Sequence, residues 1–148
     1  MRYMVFVKRH FWILCRERTG TSAVEFALIS PVLLMLAFGI IVYGLYFGAA
    51  HALQQIAAEA ARSSVAGIGN DERSTLARQS VDRALSDSSL FRKEDVSVAV
   101  GDDPGDPDIY MVTLTFDSRS MGFGSVSGLV PVPSVILSRT MRVRRGGF

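Results

Sequence analysis

The chain offers few side chains able to do covalent or metal chemistry, and their spacing narrows the choice further. One cysteine, Cys15, excludes an internal disulfide and a cysteine-rich metal cage, and two isolated histidines, His10 and His51, leave little for a histidine site. Asp102, Asp103, Asp106 and Asp108 bring four carboxylates into seven residues, a charge density that would suit calcium. The run lacks the regular spacing and closing Glu of an EF-hand, so it reads as a solvated acidic turn. No serine sits in a G-x-S-x-G elbow and no Gly-rich phosphate loop occurs. Arg139, Arg142, Arg144 and Arg145 form a basic tail facing solvent or a partner. It lacks interleaved aromatics, and a net charge of +2 gives no general grip on nucleic acid. The expectation is a protein that is not an enzyme, with no cofactor, no metal and no nucleic-acid partner.

The one carboxylate in an unusual setting is Glu25. Between Phe26 and Ala58 no Asp, Glu, Lys or Arg occurs, and residues 26–50 form a largely apolar run. As a helix at 1.5 Å per residue this run would be roughly 37 Å long, against a hydrocarbon core of about 30 Å, so it can span a membrane with some tilt. A buried helix of a soluble domain is usually shorter and keeps a polar stripe. The span absorbs the excess behind a 49% hydrophobic composition. A carboxylate at its edge is a functional candidate by default. In the plainer reading Glu25 lies in the first helical turn and complements the helix dipole by about 0.3–1 kcal/mol.

Charge placement gives an orientation. Residues 1–20 carry Arg2, Lys8, Arg9, Arg16 and Arg18 against Glu17, while the rest of the chain carries 11 cations and 13 anions. Cations flanking a span stay in the cytoplasm, so the N-terminus is expected inside and the bulk of the chain outside. This leader is not an ordinary secretory signal, because Lys8, Arg9 and His10 split its apolar patches and Gly20 precedes the apolar run.

Gly20-Thr21-Ser22-Ala23-Val24-Glu25-Phe26, followed by an apolar run containing Pro31, resembles the TadE-like minor pilins, or pseudopilins, of the tight-adherence (Flp) branch of type IV pilus machinery. The resemblance covers about residues 16–55, with a weaker echo at residues 136–144. It implies that a membrane-embedded prepilin peptidase cuts between Gly20 and Thr21, leaving Glu25 and Phe26 as the fifth and sixth residues of the mature chain. It also implies that Glu25 pairs with the α-amino group freed on a neighbouring subunit and sets axial register. The implied partners are the prepilin peptidase, other pilins and pseudopilins, an inner-membrane assembly platform and the membrane. The implied location is the cytoplasmic (inner) membrane, single-pass, with a periplasmic or extracellular C-terminal domain and possible incorporation into a pilus. The related TadF and TadG-like branches stay open, as does a single-span anchored binding or sensor domain, which would keep its leader.

Pro31 removes one backbone hydrogen bond within the span and fits a helix packed among like helices. Gly44 and Gly48 form a GxxxG pattern, continued by Ala52, which permits close helix approach. Residues 51–66 are good helix formers, so the helix is expected to leave the membrane and end at Gly67-Ile68-Gly69-Asn70. A second helix over residues 71–86 would bury Leu76, Ala77, Ser80, Val81, Ala84 and Leu85. From residue 95 the period becomes two: Val96, Val98 and Val100, a turn over residues 101–107, then Tyr110, Val112, Leu114 and Phe116. Residues 118–134 read as a loop, and residues 135–145 as a third strand with Val135, Leu137, Met141 and Val143 on one side. The expected fold class is α+β: a long N-terminal transmembrane helix extending into a small pilin-like domain with a short helix and an antiparallel sheet. The expected organisation is a cleaved cytoplasmic leader, residues 1–20; the helix, 21–66; and an extracytoplasmic domain, 67–148.

Overall fold

The computed structural model describes residues 18–128, 130, 131 and 133–145. Its elements are helix α1 (Arg18–Ser64), helix α2 (Asn70–Asp87), and strands β1 (Val96–Asp103), β2 (Asp106–Asp117) and β3 (Ile136–Arg144). Short 3-10 turns at Lys93–Asp95, Ser118–Met121 and Phe123–Val126 join them. The fold is α+β with an antiparallel sheet in the order β1-β2-β3. By compactness the chain divides into Met1–Gly39 and Ile40–Phe148, with the boundary inside α1.

In the first unit α1 is apolar and exposed, with Phe26, Leu28, Val32 and Leu36 all open. Its most apolar window is almost wholly unburied, which is the reverse of a soluble core helix. Length and composition make it a candidate membrane span. Pro31 lies inside the helix, where its ring leaves the carbonyl one turn back without a donor.

In the second unit the rest of α1 lays a small-residue stripe on the sheet. Ala49, Ala50, Leu53, Ala57, Ala60 and Ala61 are buried at three- and four-residue spacing, so side chains of minimal bulk meet the inner sheet face closely. α2 adds Ala77, Val81 and Leu85, all within the expected face. The sheet contributes Val96, Tyr110, Val112, Leu114, Phe116 and Leu137, with Phe91 edge-on to Phe116 at 5.0 Å. Period two on β2 is the cause: alternate residues from Tyr110 to Phe116 point inward and Met111, Thr113 and Thr115 outward.

α1 ends at Ser64 rather than running to residue 66. Val65 N and Gly67 N donate to the carbonyls of Arg62 and Ser64 at 3.1 Å, closing the last turn. Asn70, expected in the breaker, instead opens α2. Gly67 is required by close approach: a Cβ there would stand 2.7 Å from Arg73 N and 3.0 Å from Arg73 Cα, and Arg73 Nε donates to Gly67 O at 2.8 Å. Gly67→Ala is therefore expected to destabilise the fold by about 1–3 kcal/mol, because backbone has to give way. The urea midpoint of the detergent-solubilised chain measures it, and an unchanged midpoint would refute the steric account.

Three strand expectations need correction. Gly101, Asp102 and Asp103 belong to β1, not to the turn, which contracts to Pro104 and Gly105. Asp102 pairs with Tyr110 and Asp103 with Asp106, and the register shifts between them. Two of the four tail arginines are also tied down, since Arg142 meets Asp103 at 3.1 Å and Arg145 pairs with Asp102. Val135 precedes β3 and is exposed, because its carbonyl is held by Ser118 N at 2.8 Å and Ser118 Oγ at 2.9 Å.

Tyr110 carries a physical cost within this core. Its ring is buried, and its hydroxyl has no hydrogen-bond partner among the described residues. Burial pushes its phenol pKa up, against a downward pull from Arg78 and Arg73. A raised folded pKa means that this contribution to stability is full below the unfolded value of about 10 and is lost as pH rises through the folded one. Tyr110→Phe keeps the ring and removes the orphan donor, so stability at pH 7 should hold or rise by up to about 1–3 kcal/mol. The variant should also lose less stability than the parent above about pH 10. Denaturation at neutral and alkaline pH checks both parts; a large loss at pH 7 would mean that the hydroxyl is satisfied.

Candidate functional site: the N-terminal helix

Thr19, Gly20, Thr21 and Ser22 are weak helix formers at the start of a long helix. The bond between Gly20 and Thr21 lies within α1, close to its first described residue. Gly20 and Thr21 are exposed, and no described residue stands within 4 Å of where a Cβ on Gly20 would be. The expected leader, apart from its last three residues, lies outside the described residues, as do Cys15 and His10.

Glu25 and Phe26 are also exposed on α1. Within the described part of α1, which starts at Arg18, Glu25 lies about two turns along. Glu25 makes no ion pair with any described side chain. One helical turn separates it from Thr21, which places both on one face.

Gly44 and Gly48 face away from the sheet, are exposed, and have open space where a Cβ would stand. The small-residue row is therefore unoccupied by this chain's own packing, whereas Ala52 is half-buried. Sequence reasoning overlooked the opposite stripe, Ala49 to Ala61, which carries the sheet domain. Its alanines at helical spacing were the signal available.

The acidic turn is used internally. Asp102 also accepts from Asn70 Nδ2 at 3.2 Å, Asp103 from Gly105 N at 2.9 Å, and Asp106 from Asp108 N at 2.9 Å. No group of three or more His, Cys, Asp or Glu side chains converges among the described residues.

An exposed apolar helix with Gly20 and Thr21 near its first described residue, and with Glu25 set just before a long uncharged run, is the geometry of the site. Residues 20–62 match the TadE-like protein family. The match begins at Gly20 and ends near the C-terminus of α1, so it takes in Glu25, Phe26, Pro31, Gly44 and Gly48 and leaves the sheet outside. No curated protein and no solved structure matches the chain. The TadE-like match is to a pilus-associated family that is structural rather than catalytic.

Proposed function

We propose that the chain is a minor pilin, or pseudopilin, of a tight-adherence (Flp) type IV pilus, inserted by α1 in the cytoplasmic membrane with its N-terminus inside. In this reading a prepilin peptidase removes residues 1–20, and the mature helix joins other pilins and pseudopilins on an inner-membrane assembly platform. One observation carries the proposal: the TadE-like match starts at Gly20, which lies on the exposed apolar helix five residues before Glu25 and its long uncharged run. The exposure of Gly20 and Thr21 leaves the bond open to a peptidase, and an unburied apolar surface needs lipid or other helices to cover it. Gly44 and Gly48 supply a face on which another helix approaches closely.

Intact-mass measurement of the membrane-extracted protein tests the proposal. In a host with the peptidase the chain should lose residues 1–20, and in a host without it the chain should stay whole. A whole chain in both hosts would favour a single-span anchored binding or sensor domain.

A further inference from the structure

From Ser120 to Ser138 the sequence carries no Asp, Glu, Lys or Arg, although these residues lie in the domain beyond the apolar run. The structure brings part of this segment back to α1. Tyr46 Oη and Ser134 Oγ lie 2.9 Å apart. Ser134 and Val135 are held from the other side by Ser118, whose hydroxyl meets the Val135 carbonyl at 2.9 Å. The segment is thus fixed beside the turn of α1 that carries Tyr43, Tyr46 and Phe47, where the Phe47 ring meets Tyr43 tilted at 6.4 Å and Tyr46 edge-on at 5.9 Å.

That turn closes the apolar part of the helix. Ile40, Ile41, Leu45 and Phe47 are exposed on it, and the chain turns to His51, Gln54 and Gln55 within the next turns. Tyr and other aromatic rings at such a boundary are the residues that settle at the headgroup level of a bilayer. Val135 and Ile136, which follow Ser134, are 44% and 62% exposed. A β-branched pair this open faces water unless something apolar covers it. At the flanks of the uncharged segment Arg119 is exposed and paired with Asp117, whereas Arg139 has no carboxylate partner among the described residues. An uncharged apolar patch with such a cation near its edge suits a surface that rests in the headgroup region of an anionic bilayer.

We propose that Ser134, Val135 and Ile136 form a second membrane contact, seated in the outer interface of the same bilayer that α1 crosses. This rests on the reading of α1 as a membrane span. The occupant is lipid rather than a protein groove because Ser134 meets Tyr46 on the aromatic turn that ends the exposed apolar part of α1, which puts the two apolar residues after it at the same level. Two attachment points hold the sheet domain against the bilayer before assembly, and extraction of the subunit has to break the loop contact as well as withdraw the helix.

Tryptophan quenching by lipids brominated on their acyl chains tests this in the full chain, in vesicles of phosphatidylethanolamine and phosphatidylglycerol. Trp12→Phe provides the background, and Leu45→Trp, Ile136→Trp and Ile68→Trp report on the helix, the loop and the far tip. Ile68 is 92% exposed and lies beyond Ser64, about 27 Å along the helix axis from Tyr46. A group seated about 5–10 Å into the boundary should lose about half its emission or more, so Leu45→Trp and Ile136→Trp quench and Ile68→Trp does not. Quenching at Leu45→Trp without Ile136→Trp overturns the loop contact and leaves the span standing. No quenching at Leu45→Trp overturns the span reading and the loop contact with it, and equal quenching at Ile68→Trp overturns a located contact. Val135→Trp replaces Ile136→Trp if circular dichroism shows that variant unfolded, with the same outcomes.

Discussion

Gly20→Val should leave the chain at full length in a host that trims the parent. The physical case rests on what the substitution leaves untouched. Among the described residues nothing lies within 4 Å of a Cβ at Gly20, so they accommodate the new side chain without a clash. Valine is also a somewhat better helix former than glycine, so α1 is not weakened. The added bulk would therefore be felt only by a protein surface fitted to the bare backbone of Gly20. Overpacking such a fitted site costs about 1–3 kcal/mol, and at about 1.4 kcal/mol per tenfold the cleavage rate falls by roughly one to two decades. Gly20→Ala should give an intermediate rate. Intact mass at fixed times after induction reads both variants. Mature product at the parental rate from Gly20→Val would mean that the glycine is incidental and that the chain is not a substrate of this kind.

The parts of the fold that were legible in the sequence are those set by short-range periodicity. Ala77, Val81 and Leu85 fall at helical spacing and are buried on α2, and the alternation from Tyr110 to Phe116 puts each of those residues inward. What escaped is long-range. Asp102 and Asp103 read as turn residues because isolated aspartates favour turns, yet Arg142 and Arg145, on and just after β3, reach across to neutralise them and extend the hairpin. No local pattern encodes that pairing. Val135 read as the first inward residue of a strand, but Tyr46 and Ser118 fix the chain just before it and delay β3 by one residue. The candidate site was more legible than the fold, since Gly20, Glu25 and Phe26 are contiguous with an uncharged run and need no tertiary contact to be recognised. The alanine stripe was the exception, because residues 51–66 read as good helix formers and only the sheet reveals which side they bury.

Glu25→Gln separates two roles for the carboxylate at the edge of the apolar run, since it keeps shape and hydrogen-bonding capacity and removes the charge. If Glu25 serves only its own helix, little should change. A carboxylate near a helix N-terminus gains only about 0.3–1 kcal/mol from the dipole. If it meets the α-amino group freed at Thr21 of a neighbouring subunit, the pair sits among apolar helices. Removing one partner of a buried pair typically costs about 3–5 kcal/mol. Association with the other pilins should then fall by roughly two decades or more, at about 1.4 kcal/mol per tenfold. Cleavage should be largely retained, because the bond and its glycine lie more than a turn away from Glu25. Thr21 of the same chain shares the face of Glu25, so an intrachain pair is the competing arrangement, and it would lower helix stability without loosening the subunits. The measurement is therefore paired: cleavage by intact mass, and association by crosslinking through cysteines placed at Gly44 or Gly48, where the open face accepts a side chain. Parental crosslinking together with parental cleavage would remove Glu25 from assembly. Lost crosslinking with parental cleavage is the expected result, and it would place the carboxylate between subunits rather than within one.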